Sequence, residues 1–152
     1  MKIILDDLKG QAIAEFLDEH IQDMKSISSP ESKHALDLDG LRSETISFWT
    51  IYDDDQLVGC GALKELSPTW GEIKSMRTRA GCRGKGIATN MLQHIIDTAR
   101  SRGYQKLNLE TGSMAFFEPA RRLYSRHGFE YCAPFDQYIE DPNSVFMQLL
   151  LE

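Results

Sequence analysis

The run Arg83, Gly84, Lys85, Gly86, Ile87, Ala88 puts two glycines and two cations at the start of an apolar repeat, a composition suited to holding an anion. After Gly86 the apolar residues Ile87, Ala88, Met91, Leu92, Ile95, Ile96 and Ala99 recur at three-and-four spacing, which predicts a helix with one buried face. Gly103 supplies a stop, and Arg100 and Arg102 suit the negative end of the helix dipole. The glycines therefore sit on the N-terminal turn, where the first backbone N–H groups lack intrahelical partners. Missing Cβ atoms let an anion approach those amides, and Arg83 and Lys85 add positive charge beside them. On this string alone, a tight loop that merely needs glycine competes with the cradle.

The elements around the turn are readable from pattern. Lys2 to Leu5 reads as an edge strand, and Ile13, Phe16, Leu17, His20, Ile21 and Met24 as the stripe of an amphipathic helix. Ser26 to Asp39 breaks the pattern and reads as a loop with a short helix over a site. Thr45 to Tyr52 and Leu57 to Leu66 form a hairpin joined by Asp53, Asp54 and Asp55, and Trp70 to Thr78 follows as a third strand. Lys106 to Glu110, Phe129 to Ala133 and Val145 to Leu151 are strand-like, and Pro119 to His127 is a short helix stopped by Gly128. The fold class is α/β of the α+β type: a mixed sheet flanked by helices, with strand, glycine turn, helix and strand as one crossover unit.

With 152 residues, 41% of them hydrophobic, and no linker, repeat or low-complexity tract, the chain 1–152 reads as one domain. A net charge of −6 disfavours nucleic acid and anionic membrane as partners, so any anion site is local. Cys60, Cys82 and Cys132 lack zinc-ligand or paired spacing, which suits a reducing compartment. The N-terminal apolar run is too short for a signal peptide, and no stretch approaches the ~18 apolar residues of a membrane span. A cytoplasmic location is expected.

At this point the residues resemble the GNAT superfamily of N-acetyltransferases, which move an acetyl group from acetyl-CoA to an amine. Arg83-x-x-Gly86-x-Ala88 matches that family's pyrophosphate-binding pattern. The strand ending Met76, Arg77, Thr78 lies upstream of it, and Ala120-Arg121-Arg122-Leu123-Tyr124 with Gly128-Phe129 lies downstream, in the family's order. The resemblance covers roughly residues 45 to 150, and the N-terminal strand and helix fit as well. It implies a mostly antiparallel central sheet with splayed central strands, acetyl-CoA as cosubstrate, no metal, and direct attack by a primary amine through a tetrahedral intermediate. The amides and side chains of Arg83, Gly84, Lys85, Gly86, Ile87 and Ala88 would hold the pyrophosphate. The strand carrying Met76, Arg77 and Thr78 would pair with the pantetheine arm as a neighbouring strand does. A backbone N–H near Met76 would face the thioester carbonyl, where one such donor is worth ~3 kcal/mol in the transition state. The family commonly carries Asn three residues before the helix alanine, and this chain has Phe117 there. Ser113, with Thr111 and Gly112, is the candidate replacement for that contact.

The chemistry also needs an unprotonated amine and a protonated leaving thiol. Glu72 is the leading general base, sharing a strand face with Lys74, Met76 and Thr78 if no bulge intervenes, and Glu110 is the alternative. Tyr124 is the candidate general acid, its phenol being a donor near neutrality. The acceptor would sit between Ser28 to Leu41 and Phe135 to Val145, both acidic through Glu31, Asp37, Asp39, Asp136, Glu140 and Asp141. Those walls would attract a cationic small-molecule or peptide amine. Arg42 leaves open an acceptor bearing a carboxylate, and His34 with Asp37 lacks a third metal ligand. A non-catalytic acyl-CoA-sensing module is the alternative function. A P-loop nucleotide site is disfavoured because Lys85 precedes Gly86 where a Ser or Thr would be needed. Monomer and homodimer both stay open.

Overall fold

The acidic tripeptide between the two hairpin segments becomes a two-residue turn. In the computed structural model, which describes residues 1–27 and 41–151, β2 (Ile46–Asp53) and β3 (Gln56–Ser67) pair antiparallel across Asp54 and Asp55. Asp54 takes φ 53°, a left-handed conformation that Asp tolerates better than most residues. β1 (Lys2–Leu5) adds to the outer edge of β2. β4 (Trp70–Thr78) lies antiparallel to β3 and occupies the expected residues. β5 (Lys106–Gly112) runs two residues past the expected Glu110. β6 (Glu130–Cys132) and β7 (Ser144–Leu150) complete one sheet in the order β1-β2-β3-β4-β5-β7-β6.

Every neighbouring pair in that sheet is antiparallel except β4 and β5. Those two are parallel because α2 (Ile87–Ser101) carries the chain back between them. Their pairing runs only from Trp70 opposite Lys106 to Ile73 opposite Leu109. Both strands continue beyond it, so the centre of the sheet opens into a gap.

The gap has a local cause. β3 offers Gly61 alone between Cys60, opposite Arg77, and Ala62, opposite Lys74, so Ser75 and Met76 together form a bulge. Ser75 takes φ 56° there. The bulge breaks the two-residue alternation, and with it the expected common face of Glu72, Lys74, Met76 and Thr78. Met76 packs with Ile73 in the core beneath α2, while Lys74 and Arg77 share the other face.

Two cores flank the sheet. On one face α2 buries Ile87, Met91, Leu92, Ile95, Ile96 and Ala99, and α3 (Glu118–Arg126) adds Leu123 and Tyr124. On the other, α1 (Gln11–Ile27) sets Ile13, Phe16 and Leu17 against Phe48, Cys60 and Ala62. The side chains of His20, Ile21 and Met24, and the segment 28–40 with Glu31, His34, Asp37 and Asp39, lie outside the described residues.

Candidate active site

Gly84 and Gly86 take φ 82° and 81°, in the left-handed region that an L side chain rarely adopts. A Cβ at either position would meet no atom within 4 Å, so the glycines are set by backbone conformation and leave open space beside the turn. Gly86 is the N-cap of α2, and no side chain caps it. The first-turn amides are thus unclaimed at the positive end of a 15-residue helix, the arrangement that accepts phosphate.

The turn borders a cavity of about 440 Å³ walled by the end of β4, the start of α2 and residues 116–126. Met76, Arg77, Thr78, Arg83, Gly84, Gly86, Ile87, Ala88, Phe117 and Tyr124 all line it. Cys82, Phe116 and Leu123, given no cofactor contact from sequence, line it too. The Arg83 guanidinium stands 5.6 Å over the Phe116 ring at its edge. Lys85 and Ser113 are not among the residues that line the cavity. Lys85 is exposed on the turn, and Ser113 is tied elsewhere, its hydroxyl donating to the Pro142 carbonyl at 2.7 Å and its N–H to Asn143 at 3.1 Å. Phe117, standing where an Asn was expected, lies so close over Gly112 that any Cβ there would collide with its ring. Arg121 locks this turn by donating to the carbonyls of Gly112 and Met114 at 2.6 and 3.0 Å.

Tyr124 is buried, with its ring edge-on to Phe129 at 5.6 Å. Burial pushes its phenol well above the ordinary value of 10, so the proton stays on across the neutral range.

The two carboxylates lie on the opposite face of the sheet, beyond the gap. Glu72 is 2% exposed, and a single oxygen accepts both the Tyr138 hydroxyl at 2.6 Å and the Lys74 ammonium at 3.0 Å. Lys74 also donates to the Tyr138 oxygen at 3.0 Å, closing a triangle. Glu110, on β5, accepts one hydrogen bond from Ser144 at 2.7 Å. Burial lifts its carboxyl from 4.5 to about 7; the Ser144 bond and Lys74 charge oppose the rise, and the charges of Glu72 and Asp141 add to it. A carboxyl with a pKa of about 7 is matched to moving a proton near neutrality. Tyr138 and Ser144, which orient these carboxylates, come from the segment after β6, where the sequence drew attention to acidic residues. Asp136 and Glu140 are exposed, and Asp141 accepts the N–H of Asn143 at 2.8 Å within its own turn. Arg42 donates to the Leu8 carbonyl at 2.6 Å. Among the described residues no group of three or more His, Cys, Asp or Glu could hold a metal ion, and no helix is long and apolar enough to cross a membrane.

A mixed sheet parted at the one parallel pair among the described residues, with a glycine-started helix beside the opening and a tyrosine from the next helix facing the cavity, defines the acetyltransferase class. The family model for the acetyltransferase (GNAT) family matches residues 13–129, and the chain belongs to that family. The chain is 56% identical to the uncharacterised N-acetyltransferase YsnE of Bacillus subtilis, over 97% of each chain. It is 44% identical to the uncharacterised N-acetyltransferase YedL of Escherichia coli, over 96% of this chain and 92% of the other. A solved acetyltransferase from Streptococcus agalactiae shares the fold at 16% identity and a TM-score of 0.77, over 99% of this chain and 98% of that one. The protein is an acetyltransferase, and acetyl transfer from acetyl-CoA to an amine is the activity its family supports.

Proposed function

We propose that the protein acetylates a primary amine by direct attack on acetyl-CoA, with Glu110 as general base and Tyr124 as general acid. The observation that carries the reading is the gap between β4 and β5, with a neutral phenol on one side and a carboxyl of pKa about 7 on the other. The unclaimed amides from Gly84 to Ala88 and the Arg83 side chain would hold the pyrophosphate. The open edge of β4 would pair with the pantetheine arm, and the Met76 N–H would donate to the oxyanion as the amine adds. Glu110 takes the proton the amine loses, directly or through a water. Tyr124 donates its proton to the departing thiolate, which leaves as neutral CoA thiol. Glu72 is assigned a different task from the one its strand position suggested. Its carboxylate is committed to Lys74 and Tyr138, so it fixes that corner of the acceptor side.

The test follows free thiol while acetyl-CoA is incubated with a panel of a polyamine, an aminoglycoside, a lysine peptide and free amino acids. Amine-dependent thiol release, with the acetylated amine identified by mass, is the expected result. Binding of acetyl-CoA without release for any amine would favour an acyl-CoA-sensing module instead.

A further inference from the structure

We propose that the Cys60 thiol is a positioning residue for acyl transfer, holding the peptide unit whose N–H end is the Met76 amide. The proposal deepens the reading above, in which that amide donates to the developing oxyanion.

The Cys60 sulfur lies 3.1 Å from the Ser75 carbonyl oxygen, with the thiol as donor. Ser75 is a residue of the β4 bulge, and a bulge disrupts the ladder that would otherwise engage its backbone groups. A carbonyl turned into the interior requires a donor, and leaving it without one is costly. Cys60 supplies that donor from β3 at 1% exposure, in the core formed with Phe48, Leu57 and Ala62. Burial pushes the thiol up to about 12, so it keeps its proton at every pH at which the protein would work. Ser75 also holds φ 56°, a left-handed conformation that a non-glycine residue keeps only where its surroundings fix it.

Geometry then carries the effect to the reacting atoms. The Ser75–Met76 peptide is planar and trans, so its C=O and N–H point in opposite directions. Anchoring the carbonyl towards Cys60 on β3 turns the Met76 N–H away from β3. On that side the pairing between β4 and β5 has already ended. A loosened carbonyl lets the plane rock about its ends, and the donor loses its aim. The thiol is a weak donor, but what is asked of it is direction more than energy.

The competing role for Cys60 is that of a small buried hydrophobe. Cys60→Val keeps an apolar side chain, slightly larger, and removes the donor, Cys60→Ser keeps a donor, and Cys60→Ala removes both bulk and donor. Acetyl-CoA with an isotope-labelled thioester carbonyl is bound to each variant without amine, and the carbonyl stretch is read by infrared difference spectroscopy. Turnover with the panel amine used fastest by the wild type is measured alongside. The expected wild-type band lies below that of free acetyl-CoA. In Cys60→Val and Cys60→Ala it moves back and broadens, and kcat falls about tenfold with KM for acetyl-CoA held within about twofold. Cys60→Ser restores both the band and kcat. A lowered wild-type band that is unchanged in Cys60→Val would overturn the positioning role and leave the Met76 donor standing. A wild-type band at the free position would remove the Met76 donor and the proposal with it. If Cys60→Ala does not fold, the Val and Ser pair decides alone.

Discussion

Replacing Glu110 with Gln tests a stability and a rate with one change. The half-buried carboxyl of Glu110 holds its proton more tightly in the folded state than in the unfolded chain, its pKa being about 7 against 4.5. A raised carboxyl contributes stability that is complete below the unfolded value and is lost as pH rises through about 7. At about 1.4 kcal/mol per pH unit, that interval corresponds to about 3 kcal/mol lost by the wild type between mildly acidic and mildly alkaline solution. Gln keeps an oxygen to accept the Ser144 hydroxyl and has no charge to bury, so the variant escapes the loss. Glu110→Gln is therefore expected to melt above the wild type at about pH 8 and to lose that advantage towards about pH 5. With a few degrees per kcal/mol for a chain of this size, the alkaline gap is about 6–12 °C, measured by calorimetry or circular dichroism melts. The same substitution removes the base, so kcat/KM falls by about a hundredfold or more. In the wild type, kcat/KM per unprotonated amine rises with pH and levels above about 7. A melting difference that stays flat with pH, or full activity in the Gln variant, would refute the reasoning about this carboxyl.

Tyr124→Phe keeps the ring in its contact with Phe129 and deletes the proton, so kcat is expected to fall about a hundredfold with acetyl-CoA affinity nearly intact; an unchanged rate removes the acid role. Gly86→Ala puts a side chain where φ is 81° and fills the space beside the unclaimed amides, so calorimetric affinity for CoA should drop at least about tenfold. Equal affinity would place the phosphates elsewhere. Glu72→Gln takes one like charge from beside Glu110 and frees Lys74 towards it, so the acidic limb of the pH–rate profile should move to lower pH. It also leaves Lys74 with a weaker partner at 9% exposure, a cost of about 3 kcal/mol in denaturant melts. Loss of all turnover in a folded Glu72→Gln protein would return the base to that residue.

What could be read from the residues divides along local and non-local lines. Trp70–Thr78 and the start of α2 were legible because turn residues bracket the strand and two glycines precede an unbroken apolar stripe. Most of the cavity wall followed from those two elements and Tyr124. The bulge was not legible, since Ser75 carries no residue preference for φ 56° and its conformation depends on packing against β3. For that reason the face carrying Glu72 was separated from the face carrying Met76. The choice between the carboxylates was hidden in the same way: Tyr138 meets Glu72 across 66 residues of chain, and Ser144 meets Glu110 across 34. Ser113 was offered in place of the missing Asn contact, and the bond its hydroxyl makes to the Pro142 carbonyl, across 29 residues of chain, is of the same non-local kind.

The most direct test of the account is a crystal structure of the protein with acetyl-CoA bound. It should show pyrophosphate oxygens within hydrogen-bond reach of the amides between Gly84 and Ala88, and the thioester carbonyl on the Met76 N–H. The Tyr124 hydroxyl should face the sulfur, with Glu110 on the far side of the gap. Phosphates lying away from the Arg83–Ala88 turn, or a thioester that does not enter the opening between β4 and β5, would contradict it.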